Sequence, residues 1–305
     1  MVTEAKILQN LLKSKPAKMI LKDFLPSPAV REFIQCYRIV HFEFDKIAEA
    51  SVKVYPPKPE ECIYFILKGS FEIEFSNRNK QNLQLPIILF GQQTSVNRRY
   101  FFGNEFLNFQ IVFQPTGLFR LTGIPSFELS NQCVDAENIF SKSIRFIYEQ
   151  LQHAKSFSEM LLIADKFVAT LVSNVKKETH LLDSVSKLMM KSDENISLDC
   201  LARESCLCTK QFKRKFNERI GVNPKTYARI IRFTRAFNTK NAHPNWDWLR
   251  IAIECNYFDY QHLVKDYKEF TGLTPPELHL LENNSPENVL GLTKHLYDSR
   301  LRAIW

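Results

Sequence analysis

The sequence predicts an α+β protein with a β-barrel in its N-terminal part and an all-α domain in its C-terminal part. Between about residues 20 and 125, apolar and polar residues alternate in short segments, which is the period of half-buried strands. From about residue 136 onward, apolar residues recur every three to four positions, which is the period of helices. The chain of 305 residues is long enough for two domains with separate cores.

Residues 1–20 form a short amphipathic extension in this interpretation. The β-rich domain is assigned to residues 1–135, because residues 71–75 alternate strictly and residues 107–113 do so in large part. Residues 63–67 are continuously apolar and are followed by Lys68-Gly69-Ser70, for which we expect a turn. Several short strands punctuated in this way favour an antiparallel barrel or sandwich.

The next segment, residues 136–180, is predicted to be a helical linker or dimerisation segment with two helices joined near residues 155–158. Residues 181–282 then show the pattern of short helices with short connections. Ser197 and Asn223 are typical N-cap residues, and Pro224 suits the first turn of a helix that we expect to end near Phe237. A loop is expected over 238–244, and the tail 283–305 has no counterpart elsewhere in the chain.

A pattern of two bulky apolar residues, a glycine and a proline occurs twice, 51 residues apart. A duplicated pattern implies a duplicated structural unit. Apolar residues spaced by four and closed by glycine predict a short helix with a buried stripe and a C-cap. The first copy is Phe212, Phe216, Gly221 and Pro224; the second is Leu263, Tyr267, Gly272 and Pro275.

Each copy is predicted to be a helix-turn-helix unit, with the first turn at Cys206-Leu207. Residues early in the second helix of such a unit contact base edges in the major groove. The candidate base-reading residues are Lys210, Gln211, Lys213 and Arg214 in the first copy, and Tyr260, Gln261, His262 and Lys265 in the second. Candidates for contacts to the DNA backbone are Thr209, Lys215, Lys225 and Arg229.

Charge separates the two copies. The chain has a net charge of +8, and residues 203–235 alone hold ten Lys or Arg residues against Glu204 and Glu218. Residues 247–276 hold three basic and five acidic residues. We therefore expect the first copy to supply most of the affinity for a polyanion.

Composition excludes several other classes of protein. The seven cysteines form no CxxC pair, and His41 is the only histidine before residue 146, so neither a metal site nor metal-dependent catalysis is expected. We predict no cofactor. The N-terminus lacks the features of a signal peptide, and no apolar run approaches about 18 residues, so the predicted location is cytoplasmic and away from membranes.

Residues 196–277 resemble the DNA-binding domain of the AraC/XylS family of transcription regulators. The resemblance implies two helix-turn-helix units joined by a long helix, with base-reading positions at Lys210, Lys213, Arg214, His262 and Lys265. The matching residues are Leu201-Ala202, residues 212–216, Gly221 to Pro224, Tyr227, Arg232, Ile251-Ala252, Tyr257-Phe258-Asp259 and residues 267–275.

The chain departs from this family at four positions. Cys208 stands where serine is usual, Asn256 where glycine is usual, and Leu263 and Lys265 replace phenylalanine and arginine. Asparagine tolerates left-handed geometry better than other non-glycine residues, so we expect the second turn to persist.

The N-terminal part more loosely resembles the cupin-like sensor domain of a bacterial subset of these regulators, in residues 24–27, 91–94 and 112–118. The resulting prediction is a sequence-specific DNA-binding transcription regulator that is not an enzyme. Its candidate partners are double-stranded DNA, a small-molecule effector in the N-terminal domain, a second copy of the chain, and RNA polymerase if it is an activator. Two alternatives remain open: an interaction or scaffold protein that does not bind DNA, and a DNA-repair enzyme that carries this type of domain.

Overall fold

The computed structural model describes residues 16–44, 51–75, 80–81, 84–192 and 196–283, together with residues 285 and 288. The predictions for residues 1–15 and for nearly all of the C-terminal tail lie outside the described residues. The predicted α+β class is confirmed, because the N-terminal part is an antiparallel sheet and the C-terminal part is helical. Within the described residues, no helix is both long enough and apolar enough to span a membrane.

Among the residues that the structure describes, eight strands form the N-terminal sheet in the order β1-β2-β7-β4-β6-β8, with β3 paired to β7 and β5 paired to β4. Strand β7 organises this sheet, because its 17 residues pair with three other strands. The strand bounds are β1 Pro16–Phe24, β2 Ile34–Phe44, β3 Ser51–Tyr55, β4 Cys62–Phe75, β5 Lys80–Gln81, β6 Ile87–Phe90, β7 Asn97–Phe113 and β8 Cys133–Asp135.

The turn predicted at residues 68–70 is wrong, since β4 runs through them without a break. The pairing of β4 with β7 shifts register on both sides of Lys68, so the segment is a β-bulge. Gly69 has a φ of +74°, and a Cβ atom there would lie 2.4 Å from the Glu105 carbonyl oxygen. The glycine therefore serves a close approach between two strands rather than a chain reversal.

Five helices follow β7 and cover one face of the sheet: α1 Gly117–Thr122, α2 Ser126–Leu129, α3 Glu137–Phe140, α4 Ser143–His153 and α5 Phe157–Val172. Phe65, Phe109 and Ile111 from the sheet pack in one apolar cluster with Leu151 and Phe167 from the helices. The predicted break between the two linker helices is confirmed between His153 and Phe157.

Seven helices lie in the described C-terminal residues up to 283: α6 Leu181–Lys191, α7 Leu198–Glu204, α8 Thr209–Ile220, α9 Pro224–Ala242, α10 Trp248–Glu254, α11 Tyr260–Thr271 and α12 Pro275–Asn283. Helix α9 crosses two apolar clusters. Its Tyr227 packs with Phe212 and Phe216, and its Phe233 packs with Tyr267 and Phe270. With 19 residues, α9 is roughly 28 Å long and separates the two repeat copies.

The predicted ends of α9 are half right. Asn223 caps the N-terminus by accepting a hydrogen bond from the Thr226 backbone, and Pro224 occupies the first turn. The C-terminus lies at Ala242 rather than near Phe237, so the loop expected over 238–244 is wrong for its first five residues. The side-chain amide nitrogen of Asn241 donates to the Phe237 carbonyl within the helix, so a residue typical of loops is accommodated inside the last turn.

Candidate nucleic-acid interface

Helices α7–α8 and α10–α11 form two helix-turn-helix units with matching turns. The Leu207 amide donates to the Ala202 carbonyl over 3.0 Å, and the Tyr257 amide donates to the Ala252 carbonyl over 2.9 Å. Asn256 has a φ of +57°, which confirms the left-handed geometry expected at the second turn. Gly221 and Gly272 both take positive φ as C-caps of the second helices, as the repeat predicts.

Helix α8 has one buried face and one basic face. Phe212 and Phe216 are fully buried, while Lys210, Lys213 and Arg214 are exposed. Within the part of the chain that the structure describes, no residue makes a hydrogen bond or ion pair with the side chains of these three cations. They are therefore available to an anionic partner, which is the arrangement that the sequence predicts.

Three other candidates from the sequence are engaged within the protein. The Gln211 side-chain oxygen accepts from the Cys208 amide over 3.4 Å and helps to cap α8. The Thr209 hydroxyl donates to Asp199 over 2.9 Å. The Arg229 guanidinium lies 2.7 Å from Asp266 and 2.6 Å from Glu269, which argues against the phosphate contact predicted for it. Of the remaining backbone candidates, Lys215 is half-buried and Lys225 is exposed.

In the second copy, Leu263 and Tyr267 of α11 are buried, and Gln261, His262 and Lys265 are exposed. Tyr260 is half-buried and packs against the cluster around α9, so it is the least accessible of the four predicted base-reading residues in this copy.

Asp259 caps α11 and orients His262. One carboxylate oxygen accepts from the His262 amide over 2.7 Å and lies 2.9 Å from Nδ1 of its ring. These hydrogen bonds lower the pKa of Asp259. A carboxylate facing Nδ1 favours the tautomer with its proton on Nδ1, which leaves Nε2 to contact another molecule.

Part of the acidity of the second copy is used in ion pairs with α9, chiefly through Asp266. Its carboxylate is 4% exposed and bonds to Arg229 and Arg232 of α9, and Glu269 adds a second pair to Arg229. Arg229 donates hydrogen bonds to Glu269 and Asp266, and these bonds raise the pKa of its guanidinium. Two of the five acidic residues therefore fix α11 to α9, and the excess of charge on the first copy is smaller than the sequence suggests.

Sequence reasoning missed Phe258. The two copies are offset by 50 residues in their first helices, from Leu198 and Trp248, and by 51 in their second, from Thr209 and Tyr260. The second turn thus contains one additional residue, and Phe258 in that turn is 90% exposed. A comparison of the two offsets in the sequence could have located the insertion, but not its exposure.

The N-terminal domain contacts the C-terminal ends of both second helices. Ser126 and Ser130, at α2, donate to the carbonyls of Arg219 and Gly221 over 3.0 and 2.6 Å. The Val96 amide, next to β7, donates to the Phe270 carbonyl of α11 over 2.8 Å. Both contacts lie at the opposite end of each helix from the predicted base-reading residues.

Residues of the sheet, α9 and α12 line a partly open cavity, among them Arg99, Asn108, Gln110, Phe237 and Glu282. The Arg99 guanidinium is buried against the rings of Tyr55, Tyr64, Phe71 and Phe90. Elsewhere on the sheet, ligand atoms of His41, Glu43 and Glu105 lie within 4.8 Å of one another. The prediction of no metal rested on cysteines and histidines and did not consider this group, in which Lys68 already bonds to both oxygens of Glu105.

Comparison with known proteins follows the same division of the chain. Residues 201–279 match a family described as a helix-turn-helix domain, and residues 22–135 match a domain of unknown function, DUF6597. No curated protein matches the chain significantly.

Among solved structures, the chain is similar to ToxT from Vibrio cholerae O395, with 13% identity, 80% of this chain and 97% of that chain covered, and a TM-score of 0.45. It is also similar to unsaturated fatty acid bound wild-type ToxT from Vibrio cholerae strain SCE256, with 12% identity, 80% of this chain and 94% of that chain covered, and a TM-score of 0.44. The similarity to the AraC-like transcriptional activator CuxR is weaker, with 13% identity, 71% of this chain and 80% of that chain covered, and a TM-score of 0.28. Residues 201–279 are a helix-turn-helix domain of the AraC type.

Proposed function

We propose that this protein is a transcription regulator, and that it binds a specific DNA site by placing the N-terminal ends of α8 and α11 in successive major grooves, about 34 Å apart along one face of the duplex. The observation that carries the proposal is the row of exposed cations on α8, with which no described residue pairs, opposite a fully buried aromatic stripe. Helix α9 supports it, because its length of roughly 28 Å is close to one turn of DNA.

In the first copy, Lys210, Lys213 and Arg214 are the proposed base-contacting residues, and arginine or lysine there suits guanine O6 and N7. Lys225, exposed in the first turn of α9, is the proposed phosphate contact of this copy. Gln211 contributes through its amide nitrogen, since its oxygen caps the helix.

In the second copy, Gln261, His262 and Lys265 are the proposed base-contacting residues. With its proton on Nδ1, His262 would present Nε2 as an acceptor for an exocyclic amino group of cytosine or adenine. Asp266 and Glu269 pair with Arg229 of α9, so α11 carries less unpaired negative charge than the composition of the copy suggests.

The test is selection of bound sequences from a random duplex pool, followed by affinity measurements on the selected site. Lys213→Ala with Arg214→Ala should cost about 1–3 kcal/mol of binding free energy for each base that the removed side chains touch. A matched control is Lys142→Ala with Lys166→Ala, which removes the same charge from exposed positions of the linker. Equal reductions in affinity for the two double variants would show that α8 contributes only non-specific attraction.

The alternative of a scaffold that does not bind DNA rested on the acidic second copy, and the pairing of its acids with α9 weakens that reason. The alternative of a repair enzyme needs a reactive cysteine. Cys62 is buried, which raises the pKa of its thiol, and burial raises the pKa of Cys133 to about 12. A thiol with a raised pKa is a poor nucleophile at neutral pH.

A small-molecule effector is part of the proposal, and the cavity between the sheet and α9 is its proposed site. No carboxylate among the described residues pairs with the buried Arg99, and the side-chain oxygens of Asn108 and Gln110 lack hydrogen-bond partners there. A buried cation and two unsatisfied acceptors favour an acidic molecule that also carries donors. Straight-chain hydroxycarboxylates should raise the melting temperature of the protein, matched neutral diols should not, and Arg99→Gln should remove the effect.

Homodimer formation remains a proposal as well. Phe146 on α4 and Leu162 on α5 are large apolar side chains that are 65% and 55% exposed, and a second copy of the chain could cover them. Light scattering of the protein and of Leu162→Arg tests this. The partnership with RNA polymerase applies only if the regulator proves to be an activator in a transcription assay.

A further inference from the structure

Phe258 occupies a position that the first repeat copy does not have. Up to the turn, the two copies align with an offset of 50 residues. The Leu207 amide bonds to the Ala202 carbonyl in the first copy, and the Tyr257 amide makes the same bond to the Ala252 carbonyl in the second. From the N-caps Cys208 and Asp259 onward, the offset is 51. Phe258 is therefore an insertion immediately before the N-cap of α11.

An apolar residue before an N-cap usually has a structural role. It packs on the fifth residue after it and fixes the angle at which the chain enters the helix. In the first copy, Leu207 is half-buried and packs in the same cluster as Phe212. In the second copy, Tyr257 takes the inward position and is 4% exposed, whereas Phe258 is 90% exposed. Phe258 thus does not perform the structural role that its position suggests.

The ring of Phe258 lies on the side of α11 that is proposed to enter the groove. Its centroid is 5.8 Å from that of His262, at an interplanar angle of 82°. Asp259 holds the imidazole of His262 through Nδ1. The phenyl ring of Phe258 therefore packs against an imidazole whose orientation is fixed. An exposed aromatic side chain at this place would be carried to the base edges together with His262.

Thymine is the base that offers an apolar group in the major groove, its C5-methyl group. We propose that Phe258 is a specificity-determining residue of the second copy, whose ring contacts the C5-methyl group of a thymine in the half-site bound by α11. This inference rests on the proposed function, because it requires α11 to lie in a major groove. It gives the less basic copy a means of discrimination that does not depend on charge.

The experiment first selects bound duplexes with the wild type and with Phe258→Ala, and then replaces each thymine of the selected site in turn by deoxyuridine, which lacks only the methyl group. One deoxyuridine in the second half-site should weaken wild-type binding about fourfold, the value of one buried methyl group. Phe258→Ala should bind the thymine and deoxyuridine sites equally, and should lose the thymine preference at that position alone. Leu249→Ala is the matched control, since Leu249 is an exposed apolar residue of the same copy on α10, and it should keep the wild-type sensitivity.

The outcomes separate the inference from the function that it rests on. If the wild type selects no site, the proposed function fails and the inference fails with it. If a site is selected but wild type and Phe258→Ala respond equally to every deoxyuridine, the proposed function stands and the inference is overturned. If Phe258→Ala changes transcription without changing the selected site, Phe258 contacts a protein, and the inference is again overturned. Equal melting temperatures of wild type and Phe258→Ala ensure that loss of folding is not the cause.

Discussion

The two C-cap glycines provide a controlled test of how the domains pack. Gly221 and Gly272 have equivalent places in the repeat, with φ values of +90° and +74°. A Cβ atom at Gly272 would meet nothing within 4 Å, whereas one at Gly221 would lie 2.4 Å from the Ser130 hydroxyl and 2.8 Å from the Ser126 carbonyl oxygen. The same substitution therefore probes backbone strain at both sites and the packing against the N-terminal domain at only one.

Gly272→Ala should lower the free energy of unfolding by about 1 kcal/mol, since alanine in left-handed geometry costs about 1–2 kcal/mol and reduced freedom of the unfolded chain changes this by less than about 1 kcal/mol. Gly221→Ala should cost about 2–4 kcal/mol more, because the new methyl group overpacks against α2 and breaks the hydrogen bond from Ser130 to the Gly221 carbonyl. Urea unfolding of both variants measures the difference. Equal destabilisation by the two substitutions would mean that α2 does not pack on the end of α8 in solution.

Three further predictions concern other residues. Asp266→Asn should lower the free energy of unfolding by about 2–4 kcal/mol, because it deprives two partly buried arginines of the carboxylate that they share. The control is Glu269→Gln, which changes a carboxylate that is 52% exposed and should cost less than about 1 kcal/mol. A larger effect of Glu269→Gln than of Asp266→Asn in urea unfolding would contradict this. Burial raises the pKa of Glu61 from 4.5 to about 8, so the native state holds a proton that the unfolded chain releases, and stability should fall as pH rises from about 5 to 8. Glu61→Gln should flatten that fall in melting temperatures measured across the range, and an unchanged slope would show that another group is responsible. Lys225→Ala should weaken binding uniformly across DNA sequences and reduce the slope of log affinity against log salt by about 1, while an unchanged slope would remove Lys225 from the phosphate contacts.

Features with local causes could be predicted from the sequence. The caps at Asn223, Gly221 and Gly272 follow from the backbone requirements of helix ends, and the burial of Phe212 and Phe216 follows from their spacing. The exposed cations of α8 occupy the face of the helix opposite these two buried residues. These predictions hold because each depends on residues within a few positions of one another.

Features that depend on distant residues could not be predicted. Arg229 resembled a phosphate ligand because Asp266, 37 residues away, is its partner only after folding. In the sequence Gly69 resembled a turn residue, because the close approach that requires a glycine there comes from the backbone of Glu105 on another strand. The packing of α2 on the end of α8 has no signal in the repeat, since a Cβ atom at the equivalent Gly272 would meet no described neighbour.

Footprinting of the selected site by hydroxyl radicals tests the central claim most directly, since that claim is two recognition helices in successive major grooves. We expect two protected segments on one face of the duplex, with centres about 10–10.5 base pairs apart. Lys213→Ala with Arg214→Ala should weaken the segment bound by α8, and Phe258→Ala should alter the segment bound by α11. A single protected segment, or two segments on opposite faces, would contradict the account.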